Sequence, residues 1–371
     1  MAKSKEVAEH LLDLAGITVN GNKAYDMQVH NEQLYRRLIS DAALGLGESY
    51  MDGCWDTPAL DQLIARVTAV DLEQKVKGNL KLKLQVLKSK LFNFQKRSRA
   101  FQVGEQHYDA GNDLYRAMLD KRMAYTCGYW KKARTLDNAQ EAKLDLVCKK
   151  IGLQKGMSVL ELGCGWGSFA KFAAGKYGAQ VTGVTVSKEQ VELGNAECKG
   201  LPVTIELKDY REVSGVYDRV LSIGILEHVG YKNYRTYMEV ADRCLKDDGI
   251  AFIHTIGGNV STTITNPWTD KYIFPNGMLP SIAQIARAME GLFVMEDLHN
   301  FGPDYDKTLM AWYGNFEKAW PRLKEKYNER FYRMWKFYLL SSAGGFRSRY
   351  NQLWQIVMTK TGRVQPDCRI S

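Results

Sequence analysis

Ser158-Val-Leu-Glu-Leu-Gly163-Cys-Gly165-Trp-Gly167-Ser168 is the stretch from which the rest of the chain can be read. A short β-prone apolar run, Val159, Leu160 and Leu162, carries one carboxylate, Glu161, at its end. It then breaks into Gly163, Gly165 and Gly167, separated by Cys164 and Trp166, and a helical stretch follows from Ser168 to Lys176. Glycines at a strand-to-helix turn let the backbone bend tightly and keep Cβ atoms away from a ligand. The turn reads as a nucleotide cradle at the carboxyl end of a parallel strand. A dinucleotide site would carry G-x-G-x-x-G and an acid about 20 positions on. Here the spacing is G-x-G-x-G, and the next strand, Gln180-Val-Thr-Gly-Val-Thr185, has no acid.

Alternate glycines after a strand ending in Asp or Glu resemble motif I of the class I S-adenosylmethionine methyltransferases. The surrounding pattern agrees with a sheet of that kind. Strands are expected at 157–162, 180–185, 203–208, 217–223 and 249–256, alternating with helices, as in a parallel sheet covered on both faces. After an insert from Asn259 to Glu290 that contains Pro267, Pro275 and Pro280, two more strands, Phe293–His299 and Leu353–Thr359, close the sheet, with helices at 308–318 and 323–340 between them. Upstream, helices are expected around Asn112–Leu119 and Asn138–Ile151. The expected fold is α/β: a class I methyltransferase Rossmann-like domain, with a seven-stranded, mostly parallel sheet, preceded by a small, mainly helical domain.

With 371 residues the chain can build one large or two ordinary cores, and 45% hydrophobic with 25% charged residues is a globular composition. The start, Met1-Ala-Lys-Ser-Lys-Glu, has no apolar leader core, and no run approaches the roughly 18 residues of a membrane span. A cytoplasmic protein is expected. Its seven cysteines, at 54, 127, 148, 164, 198, 244 and 368, are odd in number, and none forms a C-x-x-C pair. That argues against both a disulfide framework and a thiolate metal site, so no metal is expected. The net charge of +9 implies an anionic partner, either nucleic acid or a membrane surface.

The division is expected at residue 104, with a lipid-associating domain in 1–104 and the catalytic domain in 105–371. Within 1–104, short helices such as Val7–Leu14 and Leu34–Ser40 are joined by the glycine-rich Leu44-Gly-Leu-Gly-Glu-Ser-Tyr-Met-Asp-Gly53. In 71–100, Val76, Leu80, Leu84, Leu87, Leu91 and Phe94 lie on one helical face, while nine lysines and arginines face only Asp71 and Glu73. Such a basic amphipathic helix suits an anionic membrane, each base near that surface contributing roughly 1 kcal/mol at best. It equally suits a solvated helix packed on its own domain. The two readings are compatible.

Polar groups gather at the carboxyl ends of the strands: Thr185 to Gln190 with Ser187, Asp209-Tyr210-Arg211, Ile223 to Glu227, and His254 to Gly257. In open α/β sheets the ligand crevice lies there. Glu227 and His254 end adjacent strands, an acid and a base that can share one site.

A wider set of motifs resembles the cyclopropane-fatty-acid synthases and their mycolic acid relatives. It comprises Gln106-His-Tyr-Asp-Ala-Gly-Asn-Asp-Leu-Tyr115, Tyr125-Thr126-Cys127-Gly-Tyr-Trp130, the Glu161 to Gly167 turn, Glu227-His-Val-Gly230, His254-Thr-Ile256-Gly257, Tyr272-Ile-Phe-Pro-Asn-Gly277 and Leu309-Met-Ala-Trp-Tyr313. The front part resembles the extra amino-terminal domain of the phospholipid-acting branch. The resemblance implies methyl transfer from S-adenosylmethionine to the cis double bond of an unsaturated phospholipid acyl chain. A carbocation results, and loss of a proton from the added methyl closes the ring. An alkene is a weak nucleophile, so alignment and exclusion of water carry the rate. Aromatic faces stabilise a cation without trapping it, and Tyr272, Phe274, Trp312, Tyr313, Phe346 and Trp354 are candidates.

In this family a bound bicarbonate takes the proton. The resemblance assigns its site to Cys127, Glu227, His254, Ile256 (through its backbone) and Tyr313. A carboxylate accepts the bicarbonate O–H while His254 and Tyr313 donate. Cofactor contacts carry over to Tyr125, Thr126, Glu161, Gly163, Cys164, Gly165, Trp166, Gly167, Thr185, Ser187, Gln190, Tyr210, Arg211 and Ile223. Some members have a cysteine just before Ala-Gly-x-Phe-Arg; Ser342 stands there in this chain, so no thiol nucleophile is available at that position. The implied setting is peripheral association with the inner face of the cell membrane, and a homodimer is a candidate assembly. The rivals are a related lipid methyltransferase giving a methyl-branched or methylene product, and a non-catalytic lipid-binding protein. Nucleic-acid modification ranks last, because no nucleic-acid module is recognisable.

Overall fold

The computed structural model describes residues 2–70 and 111–370, so the basic stretch 71–100, the expected boundary at 104 and the start of the Gln106–Tyr115 motif lie outside the described residues. Those residues form two compact units that interleave along the chain: 2–70, 263–275 and 305–351 in the first, and 111–262, 276–304 and 352–370 in the second.

The second unit is built on seven strands: β1 (Ser158–Leu162), β2 (Gln180–Thr185), β3 (Val203–Leu207), β4 (Tyr217–Ile223), β5 (Leu245–Gly258), β6 (Val294–Asn300) and β7 (Asn351–Thr359). Their order across the sheet is 3-2-1-4-5-7-6. The β1–β2, β2–β3, β1–β4 and β4–β5 pairs are parallel, and β6 against β7 is antiparallel. All seven expected strands are present. Side chains alternate across a pleated strand, and the two cores follow that alternation. Leu160, Leu162, Val220, Ala251, Ile253, Ile356 and Met358 pack on one face, against Tyr237, Met238 and Ile285 of the helices Tyr234–Arg243 and Ile282–Met289. Val159, Leu221, Ile223, Ile250, Phe252 and Val357 pack on the other, against Leu144, Val147 and Cys148 of the helix Leu136–Lys150. The chain reverses from β1 to β2 on one side and to β4 on the other, which opens the crevice at the carboxyl end of β1.

The first unit is mainly helical, with Ala2–Asp13, Gln33–Met51, Leu60–Ala69, Pro267–Tyr272 and Glu329–Arg347, most of Pro303–Leu323, and one short antiparallel ladder, Gln28–Val29 on Trp55–Asp56. Arg333 ties it together. Its guanidinium donates to the carbonyls of Tyr50 and Trp55 and to Asp56 Oδ1, and lies 4.2 Å from the Tyr50 ring centroid. The glycine-rich stretch 44–53, expected to join helices, is instead helical through Met51, with a kink at Ala42. Packing explains the difference: a Cβ on Gly47 would sit 2.3 Å from Trp268 Cδ1, so this glycine admits an indole and makes no turn. No helix among the described residues is long and apolar enough to cross a membrane.

Candidate active site

The glycine turn lies where the motif requires. Gly163, Gly165 and Gly167 have φ of +75°, +55° and +79°, a region that side chains other than glycine enter only at a cost. They differ in what surrounds them. A Cβ on Gly163 would lie 2.1 Å from Ile225 Cδ1, whereas a Cβ on Gly165 would meet no heavy atom within 4 Å. Gly163 is shaped by packing and Gly165 faces open space. Trp166 is buried. The Cys164 N–H donates to the Val184 carbonyl, tying the turn to β2. Glu161 is buried, and no partner claims its Oε2 among the described residues. Burial pushes its carboxyl up to about 8, against the opposing pull of Lys143 and of the Ala170 backbone N–H.

At the end of β2, the Thr185 hydroxyl donates to Gln190 Oε1 at 2.6 Å, and the Ser187 hydroxyl accepts from the Gln190 N–H at the start of Lys188–Glu197. All three side chains are buried. Past β3, Arg211 grips the buried Asp209 with two donors, Nε to Oδ1 at 2.8 Å and Nη2 to Oδ2 at 2.6 Å. That fork shapes the loop, and the half-buried Tyr210 remains beside it with burial pushing its phenol up to about 12.

The Tyr125–Cys127 segment is held from behind by the helix Leu136–Lys150. Gln140 Nε2 donates to the carbonyls of Ala124 and Thr126 at 3.3 and 2.7 Å, and Lys143 Nζ donates to Thr126 Oγ1 at 2.9 Å. The Tyr129 N–H reaches the Ala139 carbonyl. Lys143 is 1% exposed, a buried cation whose field reaches Asp120, Cys127 and Glu161. Burial pushes its ammonium down to about 8. Because Lys143 can only donate, the Thr126 hydroxyl proton remains available to a ligand.

The second half of the site is built on β4 and β5. Ile223 pairs with His254, and the Gly224 N–H donates to the His254 carbonyl. A Cβ on Gly224 would lie 2.7 Å from Thr126 Cγ2, so the 125–127 segment passes directly over the end of β4. Glu227, on the one-turn helix Leu226–Val229, accepts the Ile256 N–H on Oε1 at 2.7 Å, and its Oε2 has no partner among the described residues. Burial pushes its carboxyl up to about 7. His254 is buried; its Nδ1 lies 3.3 Å from Gln355 Nε2, and its Nε2 has no partner among the described residues. Burial, with the Lys143 and Lys150 charges, holds the imidazole well below its usual value, and hence neutral. Cys127 is fully buried.

Cys127, Glu227, His254 and Ile256 thus all belong to the second unit, and so do the expected cofactor residues. Tyr313 is the one expected site residue of the first unit. It is half-buried on Pro303–Leu323, its phenol raised by burial and by Glu317. Of the Ile256 backbone, the N–H is engaged by Glu227 and the carbonyl accepts from Thr255 Oγ1. Of the aromatic candidates, Trp312, Phe346 and Trp354 are core, and Tyr272 donates to Glu48.

Sequence reasoning passed over Lys143, Gln140 and Gln355. A signal was present for each. Gln140 and Lys143 continue the apolar stripe of Leu144, Val147 and Cys148 at helical spacing, which places two polar groups on a face bound for the core. Gln355 interrupts an apolar strand.

The open space over Gly165 and the unpaired Glu161 Oε2 can take a cationic ligand. We expect Gly165→Ala to weaken S-adenosylhomocysteine binding about tenfold or more in calorimetry, at a stability cost of about 1–2 kcal/mol from the positive φ alone. An unchanged affinity would remove Gly165 from the cradle.

Comparison with known proteins agrees with these features. The family model for mycolic acid cyclopropane synthetase matches residues 95–356. The cyclopropane-fatty-acyl-phospholipid synthase of Escherichia coli is 49% identical over 354 residues, covering 95% of this chain and 93% of that protein. The tuberculostearic acid methyltransferase UfaA1 of Mycobacterium tuberculosis is 32% identical over 363 residues, covering 92% and 84%. Among solved structures, mycolic acid cyclopropane synthase CmaA1, complexed with SAH and CTAB, superposes with a TM-score of 0.66 at 30% identity, covering 70% of this chain and 98% of that one.

Proposed function

The chain belongs to the mycolic acid cyclopropane synthetase family, and from that membership we propose that it adds a methylene bridge from S-adenosylmethionine across the cis double bond of an unsaturated phospholipid acyl chain. It is an enzyme, an S-adenosylmethionine-dependent methyltransferase. The observation that carries the reading is a pair of buried, unclaimed polar atoms, His254 Nε2 and Glu227 Oε2, beside the glycine turn's crevice.

When bound, S-adenosylmethionine supplies an electrophilic methyl group. Glu161 Oε2 would hold its positive charge, the Thr126 hydroxyl and the Thr185–Gln190 corner would bind its polar groups, and Gly165 leaves room for it. A bicarbonate held there would supply the base for the proton that leaves the added methyl. His254 would hold it by donating from Nε2, and Glu227 Oε2 would accept its O–H or, when protonated, donate to it. The Ile256 N–H acts through Glu227, fixing the carboxyl's orientation. Cys127, fully buried, lines the site. Lipid is met at an anionic membrane surface on the cytoplasmic side, with the +9 net charge favouring encounter and the basic stretch 71–100 of the amino-terminal domain, 1–104, as the docking segment.

The test is mass spectrometry of lipids from unsaturated phospholipid vesicles incubated with the enzyme and methyl-labelled S-adenosylmethionine, with bicarbonate present or removed and the anionic lipid fraction varied. The expected result is a gain of one CH₂ with loss of the alkene and ring-type fragments. Turnover should fall without bicarbonate and rise with anionic lipid. The 32% identity to a tuberculostearic acid methyltransferase favours a second reading, in which the product is methyl-branched or carries a methylene group. An open-chain product would establish it. A rate indifferent to bicarbonate would remove the anion from the site.

A further inference from the structure

His254 on β5 and Gln355 on β7 stand on neighbouring strands. They share the face that carries Ile250, Phe252 and Val357. Gln355 is wholly buried between Trp354 and Ile356 and belongs to neither the cofactor cradle nor the carboxylate of the base site. Its Nε2 faces His254 Nδ1 at 3.3 Å. The ring is also flanked edge-on by Phe301, centroids 5.9 Å apart. Two polar atoms of this pair have no partner among the described residues: Gln355 Oε1 and His254 Nε2.

An amide nitrogen only donates, so the ring nitrogen in front of it accepts. A neutral imidazole that accepts at Nδ1 carries its proton on Nε2. With the amide reversed, Oε1 would take an Nδ1–H. Two buried amide N–H groups would then be stranded, and a lone pair would point from Nε2 toward the anion. The observed orientation leaves one amide N–H and the carbonyl unpaired among the described residues, the reversed one leaves both N–H groups, and orphaned buried donors are rarer than unpaired carbonyls.

We infer that Gln355 is a positioning residue that locks His254 in the Nε2–H tautomer, so that the imidazole meets the anion as a donor. The inference rests on the reading of His254 and Glu227 as an anion-holding base site. It assigns Gln355 a part in proton removal without contact to cofactor or lipid.

The experiment uses full-length protein with ¹⁵N-labelled histidine. His254 is assigned by the signal lost in His254→Asn, and long-range ¹⁵N–¹H spectra report which ring nitrogen is protonated. The parent protein should show Nε2–H. Gln355→Glu offers an acceptor only, and should switch the ring to Nδ1–H and lower kcat about 100-fold with S-adenosylhomocysteine affinity unchanged. Gln355→Met removes the donor without introducing a buried charge. It should leave a tautomer mixture and lower kcat about tenfold, which keeps the test open should the glutamate variant fail to fold. An Nδ1–H ring in the parent protein would overturn the inference, as would a kcat loss with the tautomer unmoved, because Gln355 would then be merely packing. A switched tautomer with unchanged kcat would uphold the lock and discard the base-site reading.

Discussion

Glu227→Gln should bind S-adenosylmethionine like the parent enzyme, lose turnover by a factor of about 10² to 10⁴, and gain relative stability as the pH rises. Glutamine keeps an Oε1 that can accept the Ile256 N–H at 2.7 Å, so the local geometry is retained. What it lacks is an ionisable oxygen where Oε2 stands unclaimed. The stability effect follows from linkage. Burial raises the folded-state pKa of Glu227 from an ordinary 4.5 to about 7. Between those values the folded protein holds a proton that the unfolded chain has released, so this group destabilises the fold progressively as pH rises through the window, and by a constant amount above it. A shift of that size corresponds to about 3 kcal/mol. Denaturation of parent and variant at pH 5 and pH 8 should therefore show the difference in unfolding free energy moving in favour of the variant by roughly that amount. Glu161 contributes equally to both proteins and cancels. A pH-independent difference would mean that Glu227 is already paired in solution. Undiminished turnover would take it out of the reaction. The joint outcome, a more stable protein that no longer turns over, is the signature of a carboxyl kept buried for chemistry and not for folding.

How far the site was legible depended on whether a residue's role was local. Gly163, Gly165 and Glu161 could be read because a strand, a glycine turn and a helix in immediate succession already define a crevice. The strands could be read because each core face takes every second residue, as Leu160 and Leu162 do against Val159. The 44–53 stretch was misjudged for the complementary reason. Its glycines look like loop residues locally, and only the distant Trp268 reveals Gly47 as a packing position inside a helix. The partners of Lys143 and Gln355 are equally non-local: Thr126 lies 17 residues away and His254 lies 101 away. A one-dimensional pattern can flag a polar residue on an apolar stripe, but it cannot say which group satisfies it. The resemblance to a known family supplied the base-site residues. The structure added what holds them: Ile256 to Glu227, Gln355 to His254, and Gln140 with Lys143 behind Thr126.

Lys143→Met should weaken S-adenosylmethionine binding about tenfold or more, through Glu161 and not through direct contact with the cofactor. The ammonium donates to Thr126 and lies within electrostatic reach of Glu161 and Asp120, lowering the pKa of each. Methionine fills similar space without the charge. Glu161, already pushed by burial to about 8, would then move higher still, so the carboxylate that a cationic ligand needs would cost more to form than in the parent. A neutral carboxyl offers a cationic ligand far less than a carboxylate does, and tenfold in affinity corresponds to about 1.4 kcal/mol. Two measurements separate this account from simple damage. Affinity in the variant should recover in part as pH rises and Glu161 ionises, whereas a disrupted fold would not recover. In a double-mutant cycle, Glu161→Gln should itself weaken binding, and Lys143→Met should cost little more in that background, because the charge it served is gone. Strict additivity would show that the two residues act separately. Lys143 would then be assigned to holding Thr126 alone, and the loss would be reproduced by Thr126→Val.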